Sequence, residues 1–198
     1  MSVSKTRQLL VDVARELFAK KGMEDTTMND IAAASKKGRR TLYTYFRSKE
    51  EIYSAVIATE LERLSEKLDQ VANSNQHPDD KILSLICTHL DQIKETVARN
   101  GSLRAEFFRN IWLVESVRRA FDVEEIHILR RVIAEGIGMG VFRVDSVNLM
   151  ADILHYGLKG IEVAYILDRL GEGLTPEAAQ VVVRRLMQRA LGMDENKQ

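Results

Sequence analysis

Residues 34–46 read Ala34-Ser-Lys-Lys-Gly-Arg-Arg-Thr-Leu-Tyr-Thr-Tyr-Phe46, with four basic and three aromatic side chains in thirteen positions. The stretch must turn and then run helically from about Gly38 to Phe46. At about 100° per residue, Leu42 and Phe46 fall on one side, close to Gly38 and Tyr45. Arg39, Arg40, Tyr43 and Thr44 gather on the other. The first group suits a core; the second offers two guanidiniums, a phenol and a hydroxyl to an outside partner. Arginine donates two hydrogen bonds to guanine O6 and N7, or pairs with phosphate, and an α-helix fits the DNA major groove. A basic cluster alone favours a solvated helix face, so the surrounding sequence has to decide.

The charge distribution points the same way. The chain has no net charge, with 29 basic and 29 acidic residues. Residues 1–49 hold eleven basic against five acidic groups, net +6, which leaves the other 149 residues at net −6. A basic head on an acidic body suggests a polyanion-binding module joined to one that does not bind polyanions. With 45% apolar residues and only 2 prolines, the composition favours a helical protein with a substantial core. The single cysteine, Cys87, excludes an internal disulfide and suits a reducing, cytoplasmic compartment. The N-terminus lacks an apolar signal segment, and no run approaches the roughly 20 apolar residues of a membrane helix. No membrane partner is expected.

Helical signals fill the chain. Residues 4–21 place Leu10, Val13, Ala14, Leu17 and Phe18 on one stripe, and Gly22 stops the helix. Thr27 with Asp30 resembles a capping box, opening a short helix through Ile31 to Ala34. Ser48-Lys-Glu-Glu51 opens a helix to about residue 72, some 37 Å long. Asn73-Ser-Asn-Gln-His-Pro78 is the clearest break. Further helices are expected over 79–98, 102–117, 119–137 and 146–170. Thr175 as N-cap with Pro176 at the first position starts the last one, to Leu191. The fold class is all-α, with about nine helices and no strand.

Taken together, "LFAKKG…TTMNDIAAAS…RRTLYTYFRSKEEIY" resembles the DNA-binding region of TetR-family transcriptional repressors, over roughly residues 7–53. The resemblance implies a three-helix helix-turn-helix head over residues 1–48. It implies a ligand-sensing, dimerising helical body over 49–198, with the helix at 48–72 connecting them. Thr27 would cap the second helix and touch phosphate. Arg39, Arg40, Thr41 and Tyr43 would face base edges and nearby phosphates, and Thr44, Tyr45 and Lys49 would hold the DNA backbone. The family's turn usually reads Ala-Gly-Val-Ser, where this chain has Ser35-Lys-Lys-Gly38. A left-handed backbone suits glycine and strains lysine. Lys36 and Lys37 either reach toward phosphate or stand solvated.

Binding a palindromic operator on double-stranded DNA needs a homodimer, with half-sites about 34 Å apart or a multiple of it. The apolar 146–170 helix and the last helix are the expected interface, with Leu154, Gly157, Leu158, Ile161, Val182 and Leu186 as candidates and Gly157 and Gly160 permitting close approach. By family analogy, helices 79–138 enclose a pocket for a small, largely apolar effector. His89, Phe107, Phe108, Trp112, Met139 and Tyr156 are candidate lining residues, each read first as core. Cys87 reads as a small buried residue; a redox role needs an accessible thiol of low pKa. An enzyme is disfavoured, since no phosphate loop, metal-ligand spacing or nucleophile motif is present. No cofactor or metal is expected. The rival reading is a helical protein–protein interaction module without specific DNA binding.

Overall fold

A computed structural model of the protein describes residues 3–99 and 111–193, with the backbone alone at 3, 4, 99 and 111–114. Eight helices make up the described residues, and no strand is present among them. They are α1 (Val3–Lys21), α2 (Met28–Ala34), α3 (Arg39–Tyr45), α4 (Lys49–Ala72), α5 (Pro78–Arg99), α6 (Ile111–Gly138), α7 (Val147–Ile166) and α8 (Pro176–Ala190). None of the described helices is long and apolar enough to cross a membrane. The chain forms two compact units. One comprises Met1–Arg63 with Glu95–Arg119, the other Leu64–Lys94 with Ala120–Gln198. The division runs through α4, α5 and α6.

In the first unit, the core side of α1 carries Leu10, Val11, Ala14 and Phe18. Val11 takes the place expected for Val13 and Leu17, which are half-buried. Phe18 meets Tyr53 of α4 edge to face, with centroids 5.9 Å apart. The capping box of α2 forms: Asp30 N donates to Thr27 Oγ1 at 3.2 Å, and Thr27 N donates to Asp30 Oδ2 at 2.8 Å. Lys21 also bonds Asp30; with the Thr27 donors it holds that carboxyl at about 2. Ser48 caps α4 by accepting from Glu51 N at 3.3 Å, but Glu51 reaches back to Arg47 N, one residue earlier than expected.

In the second unit, α5, α6 and α7 turn Ile82, Leu85, Ile86, Ile128, Leu129, Val132, Ala151 and Leu154 inward. The sequence suggests a joint between residues 117 and 119, but α6 runs through it without interruption. No glycine or proline lies between Ile111 and Glu135 to break it. At its end Gly136 is required: a Cβ there would lie 2.1 Å from the Phe142 ring, which packs on the bare backbone. The helix expected to reach residue 170 stops at Ile166. Asp168 adopts φ 55, and the amides of Asp168 and Arg169 close onto the carbonyls of Tyr165 and Ala164, a Schellman ending. The last helix is held at its middle and at its C-terminal end. Arg184 pairs with Asp79 and Asp80 at the start of α5, and Arg143 N donates to Leu191 O at 2.8 Å.

Candidate nucleic-acid interface and the helical body

The head is built so that a short helix is pinned from beneath. Leu42 and Phe46 are 0% and 1% exposed, which fixes the rotation of α3. Arg39, Arg40, Tyr43 and Thr44 are exposed on the opposite side. The Arg39 guanidinium lies over the Tyr43 ring, 5.9 Å from its centroid. This cation–π contact joins side chains one helical turn apart. The Thr44 hydroxyl donates to the Arg40 carbonyl at 2.9 Å. Thr41, Tyr45 and Lys49 are half-buried, and Lys49 Nζ donates to the Glu24 carbonyl at 3.0 Å, tying α4 to the turn after α1. Arg7, which sequence reasoning did not single out, places its guanidinium 5.1 Å over the ring of Phe46. Its exposed position on α1 gives no local signal of that contact.

The turn between α2 and α3 has a definite geometry. Lys36 adopts φ 54, the left-handed region expected at the place where the resembled family carries glycine. Lys36 N donates to Ala33 O and Lys37 N to Ala32 O, both at 3.1 Å, so α2 ends in a Schellman motif with lysine at its left-handed position. Lys36 is exposed and Lys37 half-buried. Gly38 caps α3 without a side-chain bond. Left-handed backbone costs a Cβ-bearing residue about 1–2 kcal/mol, and glycine returns roughly 0.5–1 kcal/mol of that as unfolded-state entropy. Lys36→Gly is therefore expected to stabilise the protein by about 0.5–1 kcal/mol, read as a higher midpoint in urea unfolding.

Among the described residues, the expected pocket candidates are not brought together. Met139 is 58% exposed beyond the end of α6, and Tyr156 is 61% exposed on the outside of α7. Both are corrections: helical phase turns Tyr156 away from the interior, and Met139 follows the last turn of α6. Phe107 and Phe108 lie outside the described residues, as does the side chain of Trp112. His89 is wholly buried, but among polar partners. Its Nδ1 lies 2.5 Å from Glu125 Oε1, and its Nε2 lies 2.9 Å from Glu162 Oε1. The other oxygen of Glu125 sits 2.6 Å from His155 Nδ1. Lys159 bonds Asp122 at 3.0 Å, and Asp122 lies 3.6 Å from His155 Nε2. Burial alone would push the His89 imidazolium down, but the bonds to Glu125 and Glu162 outweigh it and raise it to about 9. Burial pushes Glu125 up, and the bonds from His155 and His89 more than reverse this, holding it below the usual carboxylate range.

A groove of about 600 Å³ runs beside α4 and α5, lined by polar groups including Lys67, Gln70, Cys87, Thr88, Asp91 and Gln92. Cys87 is half-buried, and burial together with Asp91 raises its thiol, which keeps the thiolate fraction low. No group of three or more metal-ligating side chains is arranged to hold an ion among the described residues.

Two of the expected interface residues also need correction. Leu154 and Leu158 are 7% and 5% exposed and belong to the body's own core. The inward face of α7 is Ala151, Leu154, His155, Leu158, Glu162 and Ile166. Its outward face, a half-turn away, carries Leu149, Ile153, Tyr156 and Val163 with Gly157 and Gly160. Space around both glycines is open. Ile161 is half-buried between the two faces. On α8, Val181, Val182 and Leu186 are exposed, and the helix buries none of its side chains.

A model of the family described as bacterial regulatory proteins, tetR family, matches residues 10–56, which contain α2, α3 and the turn between them. Over 141 residues the chain is 28% identical to the HTH-type transcriptional regulator YfiR of Bacillus subtilis, covering 68% of this chain and 66% of that one. Over 70 residues it is 31% identical to the HTH-type transcriptional regulator YhgD of the same organism, covering 35% and 36%. Residues 10–56 belong to the TetR family. Each match spans less than two thirds of the relative's own length. Salmonella enterica GusR shares the fold, with a TM-score of 0.68 at 21% identity over 96% of this chain and 97% of that one. In a TetR-family setting, the exposed face of α3 lies within the segment that the family model matches.

Proposed function

We propose that this protein is a sequence-specific DNA-binding transcriptional regulator that acts as a homodimer on a palindromic operator. It represses transcription and is released when a small-molecule effector binds the body. The observation that carries this reading is the face Arg39, Arg40, Tyr43 and Thr44, held outward by the buried Leu42 and Phe46. An exposed helix with two arginines and a phenol has the width and donors to read a major groove. A protein-interaction module would leave this basic face and the net charge of the head without a role. Thr27, Thr41, Tyr45 and Lys49 stand around α3 as phosphate or backbone contacts. The outward apolar side chains of α7 and α8 supply the dimer surface.

The effector is proposed as a small, largely apolar molecule. Its support is the aromatic set Phe107, Phe108 and Trp112 in the sequence and the family's use of the body as a sensor. Such a ligand acts only through its different affinity for the DNA-competent and incompetent states. Helix α4, like α5 and α6, has residues in both units, and because it follows α3 directly in the chain it is the proposed covalent route between sensing and binding.

The test is binding to the DNA upstream of the protein's own gene, followed across salt concentration. Arg39→Ala should weaken specific binding about 5–150-fold and relax discrimination at one base pair, the range for a bidentate guanine contact. In the same assay Lys36→Gly should flatten the salt dependence by about one counterion if Lys36 meets phosphate. Absence of any salt-sensitive, sequence-dependent binding would sink the proposal.

A further inference from the structure

The interior of the body holds a charged hub that the DNA-binding reading does not use. His89 comes from α5, Glu125 from α6 and Glu162 from α7, and their side chains are 0%, 3% and 4% exposed. Both ring nitrogens of His89 face carboxylate oxygens. A neutral imidazole donates from one nitrogen and presents a lone pair at the other. Against two buried carboxylates, the neutral ring would leave one oxygen facing that lone pair. Only the imidazolium donates to both. One proton therefore sits at the point where three helices meet.

We propose that His89 is a proton-held clamp of the body: its imidazolium ties α6 to α7 through Glu125 and Glu162, and loss of that proton frees α7 to shift. Among the described residues, α6 presents Glu125 and the ring of Phe121 to His89, and α7 presents Glu162. Beyond them, Asp122 on α6 pairs with Lys159 on α7 and lies 3.6 Å from His155 Nε2. Glu125 extends the clamp through its second oxygen to His155. The His155 ring in turn meets Tyr156 edge to face, with centroids 4.9 Å apart. Tyr156 stands on the outward face of α7, so the position of the hub is felt at the surface proposed for dimerisation. The clamp itself does not depend on that proposal, since it concerns packing within one unit.

The direction of the pH dependence follows from the raised pKa. The folded value of about 9 exceeds the ordinary 6.5. The stabilisation is complete below the ordinary value and is lost as pH rises through the folded one. The experiment is an NMR titration of the His89 ring in the full chain, with amide-exchange protection of α7 followed in parallel. The ring should be doubly protonated at neutral pH and titrate well above the free value. Protection along α7, corrected for intrinsic exchange, should fall across the same titration. Glu162→Gln should lower the His89 midpoint by about 1–3 units, the range for one nearby opposite charge. Glu124→Gln, at an exposed position on the same helix as Glu125, should leave it unchanged. A His89 that is neutral at pH 7, or α7 protection that does not change across the titration, would overturn the clamp. Because the wild-type titration needs no variant to fold, the proposal stands or falls even if substitutions at the hub unfold the body.

Discussion

Glu125→Ala is expected to destabilise the protein by about 3–5 kcal/mol at neutral pH, the range for removing one partner of a buried ion pair. Glu125 accepts from His89 with one oxygen and from His155 with the other, so its loss leaves two buried imidazoles without their shared acceptor. His89 can shed its proton in response, which places the loss toward the lower end of that range. Urea unfolding measured beside Glu124→Ala separates this from a general effect on α6. Residue 124 is exposed, and its truncation should change stability by no more than about 0.5 kcal/mol. A loss of similar size in both variants would mean that the hub contributes nothing specific. The two variants should also converge as pH rises through about 9, because the wild-type hub then loses the proton that Glu125 serves.

Placing aspartates at Val182 and Leu186 together is expected to yield a monomer that binds the operator about 100-fold or more weakly. These side chains are 56% and 60% exposed, and Ile153 and Tyr156 on α7 are 55% and 61% exposed. So many large apolar side chains left on two helices of one body are the basis of the dimer surface proposed above. A charge buried against a second copy would oppose association, while in the isolated chain it would stand in water at little cost to folding. One head on one half-site then loses the gain of tethered binding, which is the origin of the large factor. Sedimentation of the variant gives the oligomeric state, and a titration of operator DNA gives the affinity. A dimeric variant would place the interface elsewhere. A monomer with unaltered operator affinity would remove the need for a dimer.

The head was largely legible in the sequence because its determinants are local. Thr27 and Asp30 lie three residues apart, and helical phase alone separates Leu42 and Phe46 from Arg39, Arg40, Tyr43 and Thr44. The left-handed turn at Lys36 could be anticipated from the place of the substitution within the motif. The body was less legible. Its helices are apolar enough that periodicity did not reveal which side of α7 faces inward, so Leu154 and Leu158 looked available to a partner. Glu125 and Glu162 carried no signal, since an acidic residue on a helix is ordinarily solvated. Their burial rests on partners distant in sequence, among them His89, 36 residues from Glu125 and 73 from Glu162.

By itself, the sequence determined the all-helical class, the caps that start α2, α4 and α8, and the basic helix turned outward on two buried side chains. Each rests on residues within one or two helical turns, where backbone geometry dictates neighbours. The tertiary structure decided which face of α7 is free, that Met139 and Tyr156 stand at the surface, and that His89 lies between two carboxylates. Those depend on how separate helices pack. There, burial converts charges that would be solvated on an isolated helix into a hub held by a proton.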